Sequence, residues 1–155
     1  MQVGDIMHAD VKAARPEDTF ADVAKLMRLH GISSVVVLDG QTLTGILTER
    51  DVVNLIAAGG DPHGVTVARG MTRHDIETVS PKADILEAID LMVVRNIRHL
   101  PVTDTRGKVV GIVSIRDITR WAAEELSGGH ELPDIRRSHA ALKAASELQR
   151  KRRKQ

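Results

Sequence analysis

Apolar residues recur every three or four positions in two stretches of the chain, and this spacing predicts two amphipathic helices. The apolar positions are Phe20, Val23, Ala24 and Met27 in the first stretch and Ile85, Ala88, Ile89 and Met92 in the second. Gly31 and Asn96 follow the two stretches at equivalent places. Both residue types tolerate the left-handed conformation that ends many helices, so each helix is predicted to end there.

Each predicted helix is followed by two short runs rich in Val, Ile and Leu, which predict a pair of β-strands joined by a turn. These runs are residues 34–38, 43–47, 99–103 and 109–113. Pro101 has no amide hydrogen, so the amide side of its strand is predicted to be unpaired or at a sheet edge. A second helix is predicted to begin at Thr48 in one half and at Ser114 in the other.

The two halves of the chain are copies of one pattern. Val37 matches Val102 at a spacing of 65 residues, and Gly45 matches Gly111 at a spacing of 66. The extra residue falls in the turn between two strands, where insertions are best tolerated. One half is too small to bury its own helices and strands well, so the halves are expected to pack together about a pseudo-twofold axis.

The predicted fold class is therefore α/β (α+β), with two β-α-β-β-α repeats. The first repeat is expected to span residues 1–60, the second 61–127, and a partly helical, basic tail 128–155. The tail ends in the run 149–155, in which Arg and Lys predominate.

Composition narrows the possible functions. The 22 Lys and Arg residues nearly balance the 21 Asp and Glu residues, so the net charge of +1 predicts no strong field toward nucleic acid or membranes. The chain has no cysteine, which excludes disulfides and thiolate chemistry. No apolar run approaches the roughly 18 residues of a membrane span, and no signal peptide is evident, so a cytoplasmic location is expected.

Two further residue types bear on ligands. Phe20 and Trp121 are the only aromatic residues, so any bound purine is expected to lie against aliphatic side chains. The seven histidines include no pair at the helical spacing of a zinc site, so no metal site is predicted. His8 and His74 are the only pair that is similarly placed in both repeats.

Several motifs occur in both halves. They are Gly4–Met7 and Arg69–Thr72 near the repeat starts, Asn96–Asp104 in the second repeat, and Gly45–Asp51 and Gly111–Asp117 around the starts of the second helices. In these motifs the chain resembles, over about residues 1–127, a tandem pair of CBS (cystathionine-β-synthase-type) domains, also called a Bateman module. The resemblance implies a regulatory module that binds adenine nucleotides and is not an enzyme.

The resemblance implies nucleotide sites built on Thr48-x-x-Asp51 and Ser114-x-x-Asp117. Taken alone, this pattern is typical of a helix cap. In the family it holds the ribose of an adenine nucleotide. A carboxylate suits that role, because it accepts charge-assisted hydrogen bonds from both hydroxyls of a ribose.

The other implied ligand contacts surround this motif. Arg50 and Arg116 would pair with phosphate near a helix start. Arg98 and His99 would add phosphate contacts to the Ser114 site. The remaining implied contacts are Thr78, Val79, Ile97, Pro101 and Ile115. The adenine would lie against Val79, Ile97 and Ile115 in the Ser114 site, and against Ile32 and its neighbours in the Thr48 site.

The implied ligand is AMP, ADP or ATP, and S-adenosylmethionine stays open because it shares the ribose. The expected partners are an effector protein and a second copy of the chain. The homodimer is expected to form through Val52, Val53 and Ile56 of one helix and Ile118, Trp121 and Ala122 of another. The alternatives are a ligand-free dimerising scaffold and a weak nucleic-acid-binding adaptor that uses the basic tail.

Overall fold

The computed structural model describes residues 1–127, so the predicted tail lies outside the described residues. Within residues 1–127 there are five strands: β1 (Ala13–Ala14), β2 (Ser34–Asp39), β3 (Thr42–Thr48), β4 (His99–Thr103) and β5 (Val109–Ser114). The helices are α1 (Phe20–His30), α2 (Glu49–Ala57), α3 (Val67–Gly70), α4 (Ile85–Arg95) and α5 (Ile115–Ser127). The predicted mixed fold of two repeats is confirmed. Gly31 and Asn96 end α1 and α4 with φ angles of 63° and 54°, in the left-handed region.

The two sheets differ at the strand that begins each repeat. In the first sheet β1 pairs in parallel with β2, and β2 pairs antiparallel with β3. In the second, β4 pairs antiparallel with β5, but the counterpart of β1 is a single parallel bridge from Val79 to Val102.

Pro101 explains the difference between the sheets. In the first repeat the amide of Val36 donates a hydrogen bond of 3.3 Å to the carbonyl of Lys12. The counterpart of Val36 in the second repeat is Pro101, which has no N–H to donate. Pro101 instead accepts from the amide of Val79 at 3.1 Å, so the parallel ladder is reduced to one bridge.

The segment that leads into each repeat packs on the other repeat. Val3 is buried in the apolar core of the second repeat, together with Val79, Ile85 and Leu100. Val67 is buried in the core of the first repeat. We call residues 3–8 and 67–72 the leading segments. Each leading segment belongs to one repeat in sequence and packs in the core of the other, and we call this the exchange of leading segments. It explains why the two halves form one unit.

Backbone pairing fixes both leading segments in place. His8 forms a two-way bridge with Ile112 of β5, and Thr72 forms the same bridge with Ile46 of β3. Beside each bridge a methionine lies over a glycine. The Met7 thioether covers Gly111 and the Met71 thioether covers Gly45, and a Cβ atom at either glycine would overlap the sulfur.

Helices α2 and α5 only partly match the predicted dimer surface. Val53 and Ile56 are exposed by 62% and 58%, as an interface between copies would require. Ile118 is instead 5% exposed, because it belongs to the core of the second repeat. Trp121 is partly buried and packs against the same core. Ile118 is therefore corrected from an interface residue to a core residue.

The rest of the predicted surface is intermediate in exposure. Val52 packs against the core of the first repeat, and Ala122 is only partly buried. Among residues 1–127, no helix is long and apolar enough to cross a lipid bilayer.

Candidate functional site: two cavities between the repeats

Two cavities lie where the start of a helix in one repeat faces the other repeat. The larger, about 410 Å³, contains Ser114 and Asp117 at the start of α5, and we call it the Asp117 cavity. The smaller, about 280 Å³, contains Thr48 and Asp51 at the start of α2, and we call it the Asp51 cavity. Their volumes are near the range of small-molecule sites, roughly 300–1,000 Å³.

The Ser114 motif is a tight cap on α5. Asp117 Oδ2 accepts from the Ser114 amide at 2.8 Å and from the Ser114 hydroxyl at 2.5 Å. The Asp117 amide donates to the same hydroxyl at 3.4 Å. Asp117 is 7% exposed, so these bonds hold a nearly buried carboxylate at the cavity wall.

The second oxygen of Asp117 meets a residue from the leading segment. His8 Nε2 lies 2.8 Å from Asp117 Oδ1, and the His8 ring is 58% exposed. Burial raises the pKa of Asp117, but the hydrogen bonds from Ser114 and His8 outweigh it and hold the pKa below its usual range. Asp117 is therefore an anion at neutral pH, with its Oδ1 covered by an exposed and displaceable ring.

The Thr48 motif has the same geometry with one oxygen left open. Asp51 Oδ2 accepts from both the amide and the hydroxyl of Thr48 at 2.7 Å. Within the described part of the chain, Asp51 Oδ1 has no hydrogen-bond partner. Thr72, the counterpart of His8, lines this cavity. A hydroxyl group entering this cavity would therefore meet an unpaired oxygen of Asp51, whereas at Asp117 it would have to displace His8.

Both cavities offer aliphatic walls. The apolar residues are Val11, Ile32, Ile112 and Ile115 in the Asp117 cavity, and Ile46, Ile76, Ile97 and Pro101 in the Asp51 cavity. Each set includes side chains from both repeats. A purine would therefore lie between aliphatic groups, as the scarcity of aromatic residues predicts.

Charge distinguishes the two cavities. Four cationic side chains and two carboxylates line the Asp117 cavity: Lys12, Arg98, Arg116 and Arg120 against Asp10 and Asp117. Three of each line the Asp51 cavity: Arg50, Arg95 and Arg98 against Asp51, Asp75 and Glu77. The Asp117 cavity is thus the more favourable place for an anion.

Two of these cations are paired with carboxylates of the same cavity. Lys12 Nζ lies 2.8 Å from Asp10 Oδ2 in the Asp117 cavity. Arg95 lies 2.6 Å from Glu77 Oε1 in the Asp51 cavity.

Arg98 and His99 line both cavities. The Ser33 hydroxyl lies 2.9 Å from His99 Nε2, a contact between the two repeats. Burial, with the nearby charges of Arg98 and Arg116, lowers the pKa of His99 to about 4, although Asp117 opposes the shift. His99 is therefore neutral at pH 7, so it contributes no positive charge toward a phosphate.

The structure reverses the expected places of two isoleucines, because each cavity lies between the repeats: Ile97, expected in the Ser114 site, lines the Asp51 cavity, and Ile32, expected in the Thr48 site, lines the Asp117 cavity. Ile97 and Pro101 face Thr48, Arg50 and Asp51, the motif of the other repeat. Ser114, Ile115, Arg116 and Asp117 share their cavity with Arg98 and His99, as expected.

Thr78 and Val79 line neither cavity. Val79 is buried in the core of the second repeat, and Thr78 is partly buried beside it. The cavity side of this segment is formed by Ile76 and Glu77 instead.

Sequence reasoning did not include His8, Lys12, Thr72 and Glu77, which also line the cavities. These residues come from or follow the exchanged leading segments. The motif at each repeat start identified these segments in the sequence, but it did not show which repeat each segment contacts. Histidine spacing suggested His74 as the counterpart of His8. The equivalent backbone bridges are instead those of His8 to Ile112 and of Thr72 to Ile46, so Thr72 is the structural counterpart of His8. In residues 1–127 no three His, Cys, Asp or Glu side chains are grouped as a metal site requires.

Comparison with known proteins agrees with this architecture. The CBS domain family model matches the chain twice, at residues 3–58 and 67–124. An uncharacterised protein of Methanopyrus kandleri is 38% identical over 120 residues, which are 76% of this chain and 61% of that protein. The chain thus spans less than two thirds of that relative's length.

Two solved structures share the fold and contain ligands derived from adenosine. The CBS domain pair of protein MJ0100, in complex with 5′-methylthioadenosine and S-adenosyl-L-methionine, is 27% identical with a TM-score of 0.75, over 81% of this chain and 98% of that one. CBSX2 in complex with AMP is 25% identical with a TM-score of 0.68, over 79% and 96%. The two family matches coincide with the two repeats of the structure, so the chain belongs to the CBS domain family as a tandem pair.

Proposed function

We propose that this chain is a regulatory sensor that binds AMP, ADP or ATP between its repeats and acts on a separate protein. The observation that carries the proposal is the pair of carboxylates Asp51 and Asp117. Each is held at a cavity wall by two hydrogen bonds, from the amide and the hydroxyl of Thr48 or Ser114. In each motif one carboxylate oxygen caps the helix. The other is unpaired in Asp51 and is held by the exposed His8 ring in Asp117, so a ligand would have to displace His8 only at Asp117. Capping and ribose binding are therefore compatible.

The Asp117 cavity is the proposed phosphate-bearing site. A ribose hydroxyl would take the place of His8 on Asp117 Oδ1, and Arg116 and Arg120 would face the phosphates. The adenine would lie among Val11, Ile32 and Ile115. The complexes of MJ0100 and CBSX2 support an adenosine ligand in such a pair.

A sensor also requires two states that the ligand distinguishes, since a ligand shifts an equilibrium only by its difference in affinity. The residues that would report binding are those of the leading segments, because His8 and Thr72 lie at the cavities and are bonded to the opposite repeat. Displacing His8 would alter the contact between the repeats. An effector protein that reads this change is the proposed partner.

Calorimetric titration of the protein with AMP and then ATP tests the proposal. Asp51→Asn and Asp117→Asn are the informative variants, since an amide oxygen preserves the cap while the amide nitrogen cannot accept a ribose hydroxyl. Saturable binding that each variant weakens would support the sensor. Asp90→Asn, on the exposed side of α4, is the matched control and should bind as the wild type does. Unchanged affinity in both cavity variants would leave the motifs as helix caps.

The scaffold alternative retains one supporting observation, the exposed pair Val53 and Ile56 on α2. We propose that these residues form part of a homodimer interface, which is compatible with ligand binding. The nucleic-acid adaptor rests on residues 149–155, outside the described residues.

A further inference from the structure

Arg98 occupies the boundary between the two cavities and lines both. Its backbone is fixed, because its carbonyl accepts from the amide of Ile115 at the start of α5 at 2.9 Å. The carbonyl of Ser33 accepts from Glu49 at the start of α2 in the same way, at 3.0 Å. Arg98 and Ser33 are thus counterparts in the two repeats.

The counterparts differ in chemistry, because Arg98 carries a guanidinium and Ser33 does not. At this pair of equivalent positions, therefore, a single guanidinium serves both cavities. Ser33 uses its hydroxyl on His99 and lines only the Asp117 cavity. Arg98 is exposed, and among residues 1–127 its guanidinium forms no salt bridge. Its side chain can therefore turn toward either cavity from a fixed backbone.

The two cavities depend on Arg98 to different degrees. The Asp117 cavity retains Lys12, Arg116 and Arg120 without it, against two carboxylates. The Asp51 cavity retains Arg50 and Arg95 against three carboxylates, so its local charge becomes negative. Arg95 is moreover engaged by Glu77. A phosphate in the Asp51 cavity thus requires Arg98 more than a phosphate in the Asp117 cavity does.

We propose that Arg98 is a shared phosphate ligand that couples the two cavities negatively. When a nucleotide in the Asp117 cavity engages Arg98, the Asp51 cavity loses affinity for a second nucleotide and favours an adenosine without phosphate. This inference rests on the proposed nucleotide binding. The coupling would make the pair respond to two kinds of adenine ligand at once, one charged and one neutral.

Titration of single-cavity variants tests the coupling. Asp51→Asn leaves the Asp117 cavity intact, Asp117→Asn leaves the Asp51 cavity intact, and AMP and adenosine are the two probes. In the wild type, we expect the second AMP molecule to bind in the Asp51 cavity after the first has filled the Asp117 cavity. Its affinity should be roughly tenfold weaker than the affinity of AMP for the Asp51 cavity in Asp117→Asn, a factor within the usual range for coupled sites. Adenosine should show no such difference.

Arg98→Ser, which installs the residue of the other repeat, should abolish the difference and weaken AMP most in the Asp51 cavity. Arg106→Ser, in the exposed turn before β5, is the matched control and should leave the coupling unchanged. Equal and independent AMP sites in the wild type, or coupling that survives Arg98→Ser, would overturn the proposal while leaving nucleotide binding in place. Absence of AMP binding in the wild type and in both single-cavity variants would overturn the nucleotide sensor and the coupling together.

Discussion

The Ser33 hydroxyl and the His99 imidazole lie 2.9 Å apart, and their contact joins two residues that are not counterparts of each other in the repeats. Ser33 precedes β2 and His99 begins β4, so the contact ties the first repeat to the second between the cavities. It also keeps an imidazole in a partly buried place where a positive charge is unfavourable. This relationship has a direct consequence for stability.

The fold should lose stability as the pH falls from 7 to 5, because the unfolded chain protonates His99 before the folded chain does. The pKa of His99 is about 4 in the fold, against 6.5 for an ordinary histidine. Stability that depends on neutral His99 is therefore present above pH 6.5 and lost progressively toward pH 4. Between pH 7 and pH 5 the loss should be about 2 kcal/mol.

Urea unfolding at the two pH values checks this prediction. His99→Gln retains a polar group for Ser33 and has no charge to gain, so its stability should change less with pH than that of the wild type. His74→Gln, at an exposed position, should behave as the wild type. The same pH dependence in the wild type and in His99→Gln would contradict the assignment.

His8 should lower the pH at which Asp117 becomes protonated and the fold loses stability. Because Ser114 and His8 together hold the pKa of Asp117 down against burial, His8→Ala should raise that pKa. Stability from Asp117 is present above its unfolded pKa of 3.8 and lost as the pH falls through the lower folded value. The acid-unfolding midpoint of His8→Ala should therefore lie at a higher pH.

Carbon-detected NMR titration of the Asp117 carboxyl group would measure this shift directly. Thr72→Ala is the matched control, since it changes the counterpart of His8 beside the other cavity. An Asp117 titration that is indifferent to His8→Ala would show that Ser114 alone stabilises the carboxylate.

Gly45→Ala should destabilise the fold by roughly 1–3 kcal/mol, because the added methyl group enters the space of the Met71 thioether. Met71→Ala should also destabilise, by removing a partly buried side chain that packs on the core of the first repeat. The double variant should be less destabilised than the sum of the two, because shortening Met71 makes room for the new methyl group. Gly111→Ala with Met7→Ala repeats the test on the other side, and simple additivity in both cycles would contradict the packing.

Val53→Asp should convert the proposed homodimer to a monomer, since it places a charge on the exposed apolar pair of α2. Sedimentation velocity at several protein concentrations measures the change. Leu29→Asp is the matched control, because Leu29 is 78% exposed on α1, away from the proposed interface. A dimer that survives Val53→Asp and dissociates with Leu29→Asp would place the interface on α1 instead.

Local features of the fold were predictable from the sequence because local rules produce them. The helical spacing ending at Gly31 and Asn96 depends on a few neighbouring residues, as does the unpaired amide side of Pro101. The positions of Asp51 and Asp117 at helix starts were predictable for the same reason, since a motif of four residues determines each of them.

The partners of those carboxylates could not be predicted in the same way. Repeat alignment shows that Ile32 and Ile97 are counterparts, but not which helix start each of them faces. That depends on how the repeats pack, and the exchange places Ile97 with Asp51 and Ile32 with Asp117. The core position of Ile118 was missed likewise, because an apolar helix face packs equally well on its own repeat or on a second copy.

The exchange of leading segments also sets an order of events during synthesis. A chain leaves the ribosome N-terminus first, and domains generally fold as units. The Asp51 cavity needs residues as far as Pro101, and the Asp117 cavity joins His8 to Arg120. A nascent chain that has completed only its first repeat therefore has neither cavity. Under the proposed function, the chain would respond to a nucleotide only after nearly the whole pair has been translated.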